Sequence, residues 1–155
     1  MLLRLTIFCT LSMLAIVPAL SQQAAVKSNG YLSFQCNGIL YTADTTHARG
    51  YAVKQTGTAF LSAANSQNMV INMQWEKLTG PGTYLITKAA GKAEFTINHK
   101  TFFLKQSEDY VKVIISSIKQ QGPFLLLKGT FEGQLYDKNG NRINITHGKF
   151  ETIHL

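Results

Sequence analysis

Cysteine is nearly absent from this chain. Cys9 falls inside an apolar run near the start, and Cys36 is the only other cysteine in 155 residues. Once the leader is removed, no intramolecular disulfide can form. A domain without such staples is held by its core, which a hydrophobic content of 45% permits. Acids are also sparse, with eight Asp+Glu against fifteen Lys+Arg. Glycosidases need two carboxylates flanking the scissile bond, and most of these few acids fall on expected outward strand positions or turns. No Gly-x-Ser-x-Gly elbow occurs, so nothing in the sequence places a serine nucleophile beside a base. His47, His99, His147 and His154 stand in no His-x-His or His-x₃-His arrangement, and structural zinc normally takes four closely spaced Cys or His ligands. After the first twenty residues no apolar stretch reaches the ~20 residues of a spanning helix. Helical periodicity is missing as well: the best candidate, Ser107 to Val111, is too short to matter. There is no internal repeat and no low-complexity tract.

What is present begins with a leader. Met1 to Arg4 is a short positive start, Leu5 to Val17 is an apolar run, and Pro18-Ala19-Leu20-Ser21 offers small residues to a signal peptidase. Residues 1–21 read as a secretory signal peptide cleaved after Ser21. Residues 22–30 read as a flexible lead-in, and residues 31–155 as a single β domain. The expected location is therefore exported, periplasmic or extracellular, with no transmembrane segment after cleavage. With Arg4 removed, fourteen cations against eight acids leave +6. The lysines are scattered rather than clustered among stacking aromatics, and export points the same way: the partner is not nucleic acid. The residual attraction is to an envelope glycan, an anionic lipid or another envelope protein.

Two Asn-Gly pairs between apolar runs mark hairpins, because both residue types tolerate positive φ. At Asn37-Gly38 a two-residue loop pairs Cys36 with Ile39, Phe34 with Tyr41 and Leu32 with Ala43, which gathers six apolar residues on one face. At Asp137 to Asn141 a three-residue loop, with Gly140 left-handed, pairs Leu135 with Ile143, Gly133 with Ile145 and Phe131 with His147. That register puts Phe131, Leu135, Ile143 and Ile145 on one face and Glu132, Gln134, Asn144 and Thr146 on the other; a one-residue slip would reverse this. Phe150 is out of phase with Ile143 and Ile145, so a bulge is expected near His147-Gly148. On the partner strand Leu125, Leu127, Phe131 and Leu135 keep one phase, with Gly129 leaving room between them.

The middle of the chain continues in short strands. Tyr51 to Lys54, Thr58 to Ala64, Asn68 to Trp75 and Thr83 to Thr87 are separated by polar or Gly-Pro turns. Met69, Ile71, Met73 and Trp75 alternate with polar partners as in a half-buried strand. Gly80-Pro81-Gly82 suggests a type II turn. Ala93 to Asn98 and Thr101 to Lys105 suggest a hairpin across Asn98-His99-Lys100. Tyr110 to Ile118 is β-branched and nearly continuous, as expected of a central strand packed on both faces. The fold class is all-β: an antiparallel β-sandwich of about nine or ten short strands, with a small β-barrel as the alternative.

Few residues invite a chemical role. Asp44, His47 and Arg49 share a polar loop, Asp44 to Gly50, which is the best place for a hydrolase site and equally a simple Asx turn. Cys36 sits among apolar hairpin neighbours and reads as a buried, inert thiol. Asp137-Lys138-Asn139-Gly140-Asn141 resembles a calcium loop, but Gly140 is fourth rather than sixth and Gly148 stands where the twelfth-place Glu should be. Asn144-Ile145-Thr146 fits the glycosylation sequon, here within a strand. Tyr51, Tyr84 and Tyr136 offer rings for sugars or for cross-strand packing. No residue is assigned as catalytic, cofactor-binding or metal-binding, and no cofactor is implied.

Four local patterns occur in order: Phe34-Gln35-Cys36-Asn37-Gly38, Gly82-Thr83-Tyr84, Gly129-Thr130-Phe131, and Asn144 to Phe150. Together they resemble small exported β-sheet proteins of bacteroidete-type bacteria that carry a domain of unknown function, over residues 31–150. Ile39-Leu40-Tyr41 departs from the Lys and Trp that pattern has after the Gly. The resemblance implies no catalytic or binding residues. The expectation for function is an exported, non-enzymatic protein that binds or builds at the cell envelope. The alternatives are a lipocalin-like carrier of a small apolar ligand and, third, a hydrolase.

Overall fold

The computed structural model describes residues 28–155, so the leader and most of the lead-in lie outside the described residues. These residues form eleven antiparallel strands and no helix: β1 Gly30–Cys36, β2 Ile39–Thr42, β3 Arg49–Val53, β4 Ala59–Asn65, β5 Met69–Trp75, β6 Gly82–Thr87, β7 Gly91–Ile97, β8 Lys100–Phe103, β9 Tyr110–Gln121, β10 Phe124–Tyr136 and β11 Arg142–Thr152. The count slightly exceeds nine or ten, and each segment read as a strand in the sequence forms one. β1 begins at Gly30, inside the expected lead-in.

Local patterning accounts for most of these strands. In β5, Met69, Ile71, Met73 and Trp75 are all buried and the residues between them exposed, the period of a pleated strand with one wet face. The β1–β2 hairpin has the expected register, with Asn37 at φ 49° and Gly38 at 85°, as a type I′ turn requires. Its burial is less complete than expected. Ile39 is 62% exposed, because it lies at the tip, beyond the neighbouring strands. In the β10–β11 hairpin Leu135 faces Ile143 and Gly133 faces Ile145, and Gly140, at φ 89°, donates its N–H to Asp137 O.

The bulge falls at His147, which has φ 55°. Phe131 consequently pairs with Gly148, not with His147. The β1–β11 register shifts at the same level, between Ser33 and Gln35. Gly148 is required there: a Cβ would run into the carbonyl oxygen and ring of Phe131. Gly129 likewise leaves room, in this case for Ile114 O and the Phe150 ring.

Three expectations are corrected. β9 is not packed on both faces: Val111, Val113 and Ile115 are buried, while Ile114 is 38% exposed and Ser116 and Ser117 are open. Its β-branched residues serve strand propensity on the outer side as well as the core on the inner. The β7–β8 loop has two residues, Asn98 and His99, with φ 50° and 64°, and Ile97 pairs with Lys100. The bend at Gly80-Pro81-Gly82 is not a type II turn, since Gly82, at φ 158°, is close to extended and opens β6. It is held instead by Tyr84, whose hydroxyl donates to Gly80 O at 2.6 Å and accepts from Gly80 N at 3.2 Å.

β10 is the hub. One edge pairs with β9, and the other pairs with β3 over Phe124–Leu126 and with β11 over Lys128–Tyr136. The sheet therefore branches at β10 into an arm β11–β1–β2 and an arm β3–β4–β5–β7–β8, while β6 lies outside β9. Phe103 of β8 returns to Tyr136 of β10, which makes a partial ring of strands. The two arms meet through aromatic rings. Phe34 of β1 stands edge-on to Phe95 of β7 at 5.6 Å, and Phe131 of β10 lies 6.0 and 6.2 Å from the two. Such pairs add ~0.5–1.5 kcal/mol each beyond the area they bury.

Candidate functional site

The residues singled out from sequence do not converge. In the Asp44 loop, Asp44 O accepts the His47 N–H at 2.8 Å, and Thr46 Oγ1 lies 3.1 Å from His47 Nδ1. Thr45 O accepts from Asn29 N, and Thr46 O from Asn29 Nδ2. Among the described residues no hydrogen bond joins the side chains of Asp44 and His47; the backbone oxygens of Thr45 and Thr46 tie down the start of β1, while the side chains of Asp44, His47 and Arg49 are exposed. Cys36 is buried, and its burial pushes the thiol's pKa up, away from thiolate chemistry. His47, His99, His147 and His154 sit in four separate places, and among the described residues no group of three or more His, Cys, Asp or Glu could hold a metal ion.

The calcium-like turn is occupied by its own chain. Asp137 Oδ1 accepts from Asn139 N and Asn141 N, each at 2.8 Å, and Oδ2 accepts from Asn141 Nδ2 at 2.7 Å. These bonds lower the carboxyl's pKa, the Asn141 amide most of all. In the sequon, Asn144 is held in a paired strand and is part-exposed on its outer face. Tyr84 is committed to the Gly80 bend and packs on Trp75. Tyr51 stacks on Phe60 at 5.3 Å and meets Phe124 edge-on at 5.6 Å. Tyr136 borders the hollow with the greatest volume of those near the three tyrosines.

That hollow is a groove of about 610 Å³ on the outer face, where β9 begins and the β8–β9 loop rises beside it. Strand register builds its floor. Gln134 faces Asn144 across β10–β11, and Glu132 faces Lys112 across β10–β9. Two residues along from Lys112, Tyr110 comes beside Gln134, so Tyr110, Gln134 and Asn144 form a row across three strands, about 10 Å wide. Tyr110 is 49% exposed. Gln106 and Glu108 of the rising loop form one wall. That loop is fixed by the buried Asp109, whose Oδ2 accepts from Lys105 N at 3.0 Å and Gln106 N at 2.7 Å.

A second hollow, about 270 Å³, adjoins the first and shares Glu132 and Thr146 with it. The bulge creates it by turning two successive residues, Thr146 and His147, onto the same face. Lys112 and Glu132 form an ion pair of 2.6 Å at the junction, and Glu132 raises the lysine's pKa.

Comparisons with known protein families, with curated proteins and with solved structures find no match. The site therefore stands on its geometry. The arrangement can hold a polar ligand by side-chain amides, hydroxyls and carboxylates while presenting two tyrosine rings to its apolar faces. Sequence reasoning already had Glu132, Gln134, Asn144 and Thr146 on one outward face. It missed Tyr110, Gln106 and Glu108, because the register of β9 against β10 is a long-range pairing with no turn to announce it. Elsewhere, a hollow of about 340 Å³ lies over β3–β4–β5–β7, bordered by the stacked Tyr51 and Phe60.

Proposed function

We propose that this chain is an exported, non-enzymatic β-sandwich-like protein that binds a glycan of the cell envelope on the outer face of β9, β10 and β11. The observation that carries the reading is the row Tyr110, Gln134 and Asn144 in the 610 Å³ groove, with Tyr136 at its end. Sugars present an apolar ring face edged by hydroxyls, which tyrosine rings and paired amides match. The leader at residues 1–21 supports export, and the ordered set of turn and bulge patterns supports kinship with the exported bacteroidete-type proteins. The facing arms support a sandwich-like description, with β11–β1–β2 and β9–β10 over β3–β4–β5–β7. A carrier would need interior space, whereas Phe34, Phe95, Phe131 and Phe150 fill the middle of this core. A hydrolase would need a base in reach of a nucleophile and oriented by a third group, whereas no hydrogen bond joins the side chains of Asp44 and His47 among the described residues.

The test is affinity electrophoresis of the mature domain, residues 22–155, through gels containing a panel of envelope and plant-type polysaccharides. Retardation by at least one neutral glycan is expected, and Tyr110→Ala is expected to weaken it about tenfold, as for a central aromatic contact. Phe60→Ala, in the other hollow, should leave it unchanged. No retardation by any polysaccharide, or equal loss from Phe60→Ala and none from Tyr110→Ala, would overturn the proposal.

A further inference from the structure

We infer that the ligand of this face is an extended oligosaccharide rather than a single sugar or a disaccharide, and that the hollow under the β11 bulge is its second subsite. The inference rests on the glycan-binding reading above and adds to it the extent and direction of the site.

The two hollows are contiguous, sharing Glu132 and Thr146. Along β10 the outward residues Tyr136, Gln134, Glu132 and Thr130 follow one another on one face, with Tyr136 in the first hollow and Thr130 in the second. Six residues of strand separate those ends, about 20 Å at the rise of a β-strand. That is the reach of a short chain of sugars. The chemistry changes along the path. The first hollow has two tyrosines and amides. The second has Ile114, 38% exposed, beside Thr130 and His147. Leu85, 53% exposed, extends this apolar surface, since β6 pairs Thr83 with Ile114 and Leu85 with Lys112. Exposed apolar side chains on the outer face of a strand are common singly. Here they lie at the end of a polar groove, where a further ring face would rest. The backbone at His147 marks the same place. A non-glycine residue with φ 55° is uncommon, and such backbone collects at functional sites. The bulge that imposes it is also what puts His147 and Thr146 together on this face.

The experiment is calorimetric titration of the mature domain with β-1,4-linked glucose and N-acetylglucosamine series, from disaccharide to hexasaccharide. Affinity is expected to rise about tenfold or more with chain length in at least one series and then level off. Thr130→Tyr, which fills the second hollow from an exposed strand position suited to Tyr, should abolish the gain with length and leave the disaccharide's affinity unchanged. Tyr110→Ala should weaken every length. An unchanged far-ultraviolet spectrum and melting temperature establish that the Thr130→Tyr protein is folded. The outer-face variant Thr130→Ser, which keeps the hollow open, should retain the length dependence. Equal affinity for all lengths, or a length dependence untouched by Thr130→Tyr, would overturn the inference while leaving the glycan reading in place. Absence of binding to both series at every length would overturn the inference, and the glycan reading falls with it when electrophoresis also shows no retardation by any polysaccharide.

Discussion

At the scale of single residues, some side chains that look like functional groups are tied up in turns. Asp137 is the clearest case. Its carboxylate is shielded by its own turn rather than by the core, and three donors from Asn139 and Asn141 hold it in the charged form. The folded-state pKa therefore lies below the ordinary value of 3.8. The stabilisation is fully present above that unfolded value and is lost as pH falls through the lower folded one. Melting of the wild type should fall as pH drops below 3.8, and Asp137→Asn should be less stable at neutral pH with a shallower acid slope. Parallel acid profiles for the two proteins would show that the turn does not depend on the charge. Gly148 sets the opposite kind of constraint, one of space. Gly148→Ala should cost about 1–3 kcal/mol, as for an overpacked site, since the new methyl meets Phe131's carbonyl oxygen. Urea denaturation measures this, and an unchanged midpoint would mean that the bulge can shift to make room. Both residues were legible in the sequence as turn and bulge chemistry. Tyr136 and Tyr84 were not distinguishable there, because hydrophobic pattern does not say whether a tyrosine's hydroxyl finds a partner.

At the scale of elements, the hairpins announced by Asn-Gly have the expected register next to their turns, and the β7–β8 hairpin, which has no glycine, does not. Asn98 and His99 both have positive φ in the β7–β8 turn, so an L-residue occupies each site of a turn that favours Asn-Gly. His99→Gly should relieve the left-handed cost at that position and raise stability by about 0.5–1 kcal/mol. A rise in the urea midpoint with unchanged m is the expected result; a fall would show that the His99 side chain makes a contact worth more than the strain. β9 was misread for a different reason. Its sequence, YVKVIISSI, is rich in β-branched residues on both parities, and periodicity cannot separate strand propensity from burial in such a run. The consequence reaches the candidate site, because a strand expected to be buried on both faces exposes Tyr110 and Ile114 on one of them.

At the scale of the whole molecule, what the sequence could not show is the ring. Eleven strands with short connections follow from turns and alternation. The branching of the sheet at β10, and its return through Phe103 to Tyr136, depend on pairings between strands far apart in the chain. Phe131 is where this closure is felt. Its ring contacts Phe34 of β1, Phe95 of β7 and Phe150 of β11, so it touches both arms and the hub at once. Phe131→Ala should therefore cost about 3–5 kcal/mol, the range for deleting a buried phenylalanine. It should also leave unfolding cooperative, since the arms share one core. The chain supplies its own reporter: Trp75, the only tryptophan, is buried in β5 of the arm remote from β11. In wild type and variant alike, tryptophan fluorescence and far-ultraviolet dichroism should follow the same transition. If Trp75 fluorescence were to change at one urea concentration and the dichroism at another in the variant alone, the arms would be separable units joined only through Phe131. A loss well under 3 kcal/mol with coincident transitions would mean that Phe34 and Phe95 close the gap between the arms without it.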